Sequence, residues 1–352
     1  MRHELTGLVQ FDIGKAKRLA TDGWTAPEYN ILALPTFQDA VNKLQSFIQR
    51  KPYLSVDIET FYGTKKPELD GIMTCMSFAY SSRDAITIPF VNRNGGNEPY
   101  WPRHQQVHLI SLINKVLRTC PCVGHNACHF DYQMLMRKHG IQSNFVDDTM
   151  FAHWSCYPEM AKSLSFCSAL YTDNPYWKNE LKDARSGRIP RWKEFEYCAR
   201  DTIITMQVAM ALGKELKEKG KGVRDHYKFN IRVSRAYEYM AYTGATVSKQ
   251  RLNDKIIEVS AAAVQLQEML NDTVGRKLNV RSPKQVKEYL FDELGLPKRF
   301  KTFKNPDGTQ GERVTADYLT TLYLARQFPD EPTIETIGTL RKLHKRVSSL
   351  QK

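Results

Sequence analysis

Apolar and polar positions alternate along this chain with two different periods. Tyr29–Pro35 (YNILALP) reads as a short strand. From Thr36 to Arg50 apolar residues recur at Ala40, Val41, Leu44 and Phe47, the spacing of one helix face, with Thr36 placed to cap its start. Tyr53–Ile58, Ile72–Ser81 and Asp84–Phe90 are β-prone runs, and the Ser-Arg between the last two suits a hairpin. Residues 104–118 predict a helix with apolar positions at Val107, Ile110, Ile113 and Leu117. A strand near Pro121–Gly124, a helix over Asp131–Lys138 and a strand at Phe145 and Val146 follow, then helices near 148–155, 162–170 and 191–216. A hairpin first and strand–helix alternation afterwards predict an α/β fold: a mixed sheet with helices on both faces. Residues 1–27 give no clear pattern.

The stretch 214–226 (KELKEKGKGVRDH) is charged, contains glycine and has few large apolar residues, which suggests a domain boundary. Beyond it the pattern is helical, over about 227–243, 248–275, 282–294, 315–327 and 333–350. Ser282-Pro283 has the form of a helix start, a capping serine before a first-turn proline. Residues 303–313 (FKNPDGTQGER) read as a loop. Three segments are expected: 1–50 packed on the next, 51–216, and an all-α segment over 225–352.

Composition narrows the class of protein. Hydrophobic residues make up 41% of 352 and charged residues 25%, so a sizeable core is expected rather than disorder. No apolar run approaches the roughly 20 residues that span a bilayer, and residues 1–15 lack an apolar signal core, so a cytoplasmic protein without membrane partners is expected. Seven cysteines fit reduced thiols; the group Cys120, Cys122, His125, Cys128 and His129 matches no standard zinc spacing and reads as core thiols beside a loop. The net charge of +13 suits a polyanionic partner, because each neutralised phosphate releases counterions.

Three acidic motifs carry candidate chemistry. In SVDIET (55–60) strand alternation puts Asp57 and Glu59 on the same face, where two carboxylates repel unless a cation or proton lies between them. In VGHNACHFDYQMLMRKHG (123–140) a strand leads through an Asn- and His-bearing turn to Asp131, which opens a helix; Asn126 can hold backbone or substrate by hydrogen bonds. In EYCARDTIITMQVAMAL (196–212) Tyr197 and Asp201 lie one helical turn apart on the same side. Each motif alone has an ordinary structural explanation: a strand end, a helix cap, a surface pair.

In that order, DxE, then HNxxxFD, then YxxxD, they resemble the DEDD exonuclease superfamily in its tyrosine-bearing branch, across most of residues 50–213. DDTM (147–150) is similar to that family's FDTM segment, and SLSFCSALYTDNPYWK (163–178) is similar to phage-type polymerase exonucleases. The resemblance implies a ribonuclease-H-like fold and 3′→5′ removal of terminal nucleotides by two divalent ions, Mg²⁺ or Mn²⁺. Such ions suit hard oxygen ligands; about 4 Å apart, they activate water and stabilise a departing 3′-oxygen. It implies that Asp57 bridges both ions, that Glu59 and Asp201 serve the nucleophile-side ion, and that Asp131 serves the other through water. Tyr197 would orient the attacking water, and Asn126 and the backbone near Thr60 would contact the terminal nucleotide.

The tail resembles the thumb of family A DNA polymerases: AYEYMAYTGATVSKQRL (236–252), NVRSPKQVKEYLFDELGLP (279–297), and ADYLTTLYL followed by TIGTLRKLHKRVSSL. Helices at 248–275 and 333–350 would pair as an arm whose Lys and Arg lie near duplex phosphates. No palm or fingers motif of that family is found in the sequence. The expected function is therefore the proofreading part of a split or truncated polymerase, with DNA and a second chain carrying palm and fingers as partners. Two rivals are an RNA-processing exonuclease of the same superfamily and a non-catalytic DNA-clamping subunit. If the chain is phage-encoded, its setting is a bacterial cytoplasm.

Overall fold

A computed structural model describes residues 6–61, 71–92, 98–304 and 309–351. The chain divides into two compact units, Met1–Gly244 and Ala245–Lys352.

The first unit begins with α1 (Thr6–Asp22), β1 (Asn30–Leu32), α2 (Phe37–Arg50), β2 (Leu54–Phe61), β3 (Ile72–Ala79) and β4 (Asp84–Pro89). It continues with α3 (Arg103–Thr119), β5 (Cys122–Gly124), α4 (Asp131–His139), β6 (Phe145–Asp148), α5 (Thr149–Cys156) and α6 (Leu164–Tyr171). It closes with α7 (Asn179–Ser186), α8 (Lys193–Glu218) and α9 (Lys221–Thr243). The strands form one mixed sheet in the order β1-β4-β3-β2-β5-β6. β2, β3 and β4 are antiparallel, while β2–β5, β5–β6 and β1–β4 are parallel.

Each sheet face meets helices chosen by side-chain size. Against α2 and α3 the sheet presents large residues, Val56, Ile58, Phe78, Ile86 and Ile88, which pack with Leu44, Phe47, Leu109 and Ile113. Against α8 it presents Ala79 and Ala85, which meet Ala199, Ile203 and Met206; these small residues let the helix lie close to the strands. The alternation along β2 therefore sends Val56 and Ile58 to one side and Asp57 and Glu59 to the other. Thr36 caps α2 in a reciprocal box with Asp39, as its sequence predicts.

Several elements differ from their sequence-based expectation. α3 buries Leu109, Leu112, Ile113, Val116 and Leu117, whereas Val107 stays 61% exposed. That helix carries two apolar rows, and packing on the sheet selects the denser one. α7 was not predicted, because NELKDARS buries only Ala184 and has no apolar stripe. α1 likewise has no buried apolar stripe to announce it, since Val9, Phe11 and Ile13 are exposed. It is tied down by polar contacts instead, Lys15 Nζ to Ala169 O at 2.7 Å and Arg18 to Asp173 at 2.6 Å. The charged stretch 214–226 falls at the α8–α9 junction, and the units part later, after Gly244. The reason is that α9 contributes Tyr227 and Ile231 to a core shared with Ala152, Ile204 and Val208.

The second unit comprises α10 (Lys249–Val274), α11 (Pro283–Lys287), a π-helical turn (Glu288–Glu293), β7 (Phe300–Lys304), β8 (Gln310–Val314), α12 (Tyr318–Gln327) and α13 (Pro332–Leu350). Ala263, Leu270, Phe291, Leu324, Ile334, Ile337 and Leu340 form its core. Ser282 caps α11 with Pro283 in its first turn, as expected. This unit is mainly helical, but the segment expected to be all-α includes an antiparallel hairpin, β7–β8, pairing Phe300 with Val314 and Lys304 with Gln310. The stretch read as a loop holds most of it. Both strands lie largely in solvent, so they show no apolar alternation for a sequence reading to detect.

Candidate active site

β2 and α8 build the site from opposite sides. Asp57, Glu59 and Asp201 each offer a carboxylate oxygen, and these oxygens lie within 4.8 Å of one another. Among the described residues this is the group of three or more acidic, His or Cys side chains that could hold a metal ion. Asp131 opens α4 beside this trio, outside it. Its Oδ1 accepts the backbone N–H of Ile58 at 3.2 Å, so it sits against β2 between the two acidic residues of that strand. Tyr197 and Asp201, one helical turn apart on α8, are both buried.

Asp57, Glu59 and Asp131 disfavour ionisation in the absence of metal. Burial, then the charges of Asp131 and Asp201, push Asp57 well above the usual carboxylate range. Burial, then the charge of Asp57, does the same to Glu59, against the opposing effect of Arg185. Burial raises Asp131 to about 8. Like charges crowded in a poorly solvated place are relieved by protons or by cations, and oxygen-only donors suit hard divalent ions. The residues therefore fit a metal site.

Two cations not singled out by sequence reasoning already contact the cluster. Lys178 Nζ donates to Asp201 Oδ2 at 2.7 Å and to Tyr197 Oη at 2.8 Å. Trp177 Nε1 donates to the other oxygen of Asp201 at 2.5 Å. Arg185 Nη2 donates to Glu59 Oε2 at 2.7 Å and to Thr60 O at 3.1 Å. The signal available for them was the run YWK (176–178) and the basic residues that follow it, just before the third acidic motif.

Thr60 is buried at the end of β2, where the register with β3 shifts between Glu59 and Thr60. Asn126 occupies the β5–α4 turn with φ 62°, a left-handed conformation that asparagine tolerates better than most residues. Its backbone N–H donates to Asp148 Oδ1 at 3.1 Å, and the same oxygen caps α5 by accepting from Met150 N at 2.9 Å. Asp148, from the DDTM segment, thus fixes the turn that leads to Asp131. Among the described residues the Cys and His group is not gathered into a set of three ligand atoms. Cys120, Cys122 and Cys128 are buried, while His125 bonds to Thr149 at 2.8 Å and to Lys162 O at 2.9 Å. Among the described residues no helix is long and apolar enough to cross a membrane.

The family model described as 3′-5′ exonuclease, of the DNA polymerase A type, matches residues 33–217. DNA polymerase I of Synechocystis sp. is 26% identical over 276 residues, covering 71% of this chain and 26% of that protein, so the chain spans about a quarter of the length of this relative. A solved structure, the POL domain of Pol1 from M. smegmatis in complex with DNA primer-template and dNTP, superposes with a TM-score of 0.62 at 16% identity. It covers 92% of this chain and 49% of that one. The catalytic core of RRP6 from Trypanosoma brucei gives a TM-score of 0.42 at 19% identity, over 61% of this chain and 53% of that one.

Proposed function

The chain belongs to the 3′-5′ exonuclease family of DNA polymerase A, and from that premise we propose that it is the proofreading exonuclease portion of a phage-type family A polymerase, removing 3′-terminal nucleotides from DNA. The observation that carries this reading is the meeting of Asp57, Glu59 and Asp201 within 4.8 Å, with Asp131 against the same strand. These four would hold two divalent ions, Mg²⁺ or Mn²⁺, with Asp57 shared between them, Glu59 and Asp201 on the nucleophile side and Asp131 acting through water. When bound, such ions supply an activated water and stabilise charge on the departing 3′-oxygen.

The protein's own groups would do the rest. Lys178 donates to Tyr197 Oη and Asp201 also hydrogen-bonds this hydroxyl, so the phenol that would orient the attacking water is held in place. Trp177 and Lys178 together hold Asp201 by both oxygens, so its direction is set before substrate arrives. Asn126 and the backbone at Thr60 would contact the terminal nucleotide. In the helical unit, exposed Ile257, Val264, Met269 and Leu319 support docking of palm and fingers carried by a second chain, with its basic residues near duplex phosphates.

A second reading, a DNA-clamping subunit without hydrolysis, draws on the contacts of Lys178 and Arg185, which neutralise carboxylates that a metal would need. One experiment separates the two. Single-nucleotide release is followed from matched 3′-labelled single-stranded DNA and RNA, with Mg²⁺ or Mn²⁺ against EDTA. Metal-dependent loss from the DNA is expected. Tight DNA binding with no release in either metal would favour the clamp, and preferential loss from RNA would place the chain with RNA-processing enzymes.

A further inference from the structure

The side chain of Arg185, near the end of α7, joins three acceptors around one ligand residue. Its Nη2 lies 2.7 Å from Glu59 Oε2, 3.1 Å from Thr60 O and 2.9 Å from Glu194 Oε1. Its Nε is 3.3 Å from the same Glu194 oxygen. Glu194 is only 1% exposed, in the first turn of α8. The hydroxyl of Thr74 stands 3.3 Å from Glu194 Oε1 and 3.1 Å from the carbonyl oxygen of Glu59. The carboxylate of Glu59, its own carbonyl and the next carbonyl are thus held by one connected network, at the point where the β2–β3 register shifts.

A buried carboxylate such as Glu194 is costly unless paired, and removing one member of a buried pair leaves the other uncompensated. Nothing in the chemistry proposed above uses Glu194. Its place is explained if it anchors Arg185, whose planar fork can reach several oxygens at once in a way that a lysine ammonium cannot.

We propose that Arg185, anchored by Glu194, is a positioning residue that sets the orientation of Glu59 for divalent-metal binding. The inference rests on the reading of Asp57, Glu59 and Asp201 as metal ligands. Groups that hydrogen-bond to ligating carboxylates typically contribute about 10–100-fold in metal affinity or activity.

The test is a calorimetric titration of Mn²⁺ into the DNA-free full chain, for the wild type and for Arg185→Ala, Arg185→Lys and Glu194→Gln. Thermal melting in EDTA selects the variants that fold. Arg185→Lys, which keeps a cation opposite Glu194, is the comparison if the alanine variant does not. Weaker Mn²⁺ binding by about 10–100-fold in the folded Arg185 variants is expected, with a smaller loss in Glu194→Gln. In the nuclease assay kcat falls while KM for DNA stays within about twofold, because the arginine acts on the ligand and not on the strand. Unchanged or tighter Mn²⁺ binding in a folded Arg185 variant overturns the proposal. Failure of the nuclease reading looks different: the wild type binds Mn²⁺, the variants bind it more weakly, and no protein releases nucleotides.

Discussion

The ammonium of Lys178 stands 2.7 Å from Asp201 Oδ2, the lysine side chain one quarter exposed and the aspartate almost enclosed. A cation supplied by the chain thus lies against a carboxylate proposed to hold a metal. This arrangement gives the metal-free site a counter-charge and makes the pair a sensitive reporter of ion binding.

Lys178→Met is expected to lower the stability of the metal-free protein by about 1.5–3 kcal/mol, the usual worth of hydrogen bonds to a charged group. The deficit shrinks when Mn²⁺ is added, because the ion then neutralises Asp201. Melting temperatures of both proteins in EDTA and in Mn²⁺ check this; a deficit that does not change with metal would mean that the lysine is not standing in for an ion.

Asp57→Ala and Asp201→Ala each remove a member of the trio. Metal assistance is worth several kcal/mol, so each is expected to slow nucleotide release by about 10³-fold or more. Single-turnover assays on 3′-labelled DNA measure this, with circular dichroism and DNA binding retained. A variant within about tenfold of wild type would remove its residue from the catalytic group.

Asp131 makes the stability of the metal-free protein depend on pH with a definite sign. Its folded pKa, raised by burial to about 8, lies above the ordinary carboxylate value near 3.8. Between these values the folded chain keeps a proton that the unfolded chain has released, so this residue's contribution falls as pH rises from about 4 to about 8. Denaturation by urea in EDTA at pH 5 and pH 8 is expected to show a smaller decline for Asp131→Asn than for the wild type. Adding Mn²⁺ is expected to reduce the wild-type decline, since an ion favours the charged form.

Gly124 ends β5 just before the turn that carries Asn126 and leads to Asp131. A Cβ there would stand 2.3 Å from the Cβ of Ala127 and 3.3 Å from a ring carbon of Phe145. Both neighbours are enclosed, so neither moves without cost. Gly124→Ala is expected to destabilise the first unit by about 1–3 kcal/mol or more, read from the shift in the urea midpoint, and to reduce nuclease activity through displacement of Asp131.

Much of this protein was written in local pattern. The period of two along β2 placed Asp57 and Glu59 on one face, and the helical turn between Tyr197 and Asp201 placed those two together. The apolar spacing of α2 and α8 and the Ser282-Pro283 start also rest on short-range chemistry, and so were legible from neighbouring residues. The order of the three acidic motifs connected them to a family before any distance was known. Tertiary structure alone decided what meets across the site. Lys178 and Arg185 belong to polar runs without periodicity, and their importance comes from the packing of residues 177–186 against β2 and α8. Glu194 is in sequence only one more charge at a helix start, and the fold alone encloses it. Choosing between the two apolar rows of α3, placing α9 in the first unit and forming the exposed β7–β8 hairpin likewise depended on partners distant in sequence or on a backbone ladder that side-chain pattern does not record.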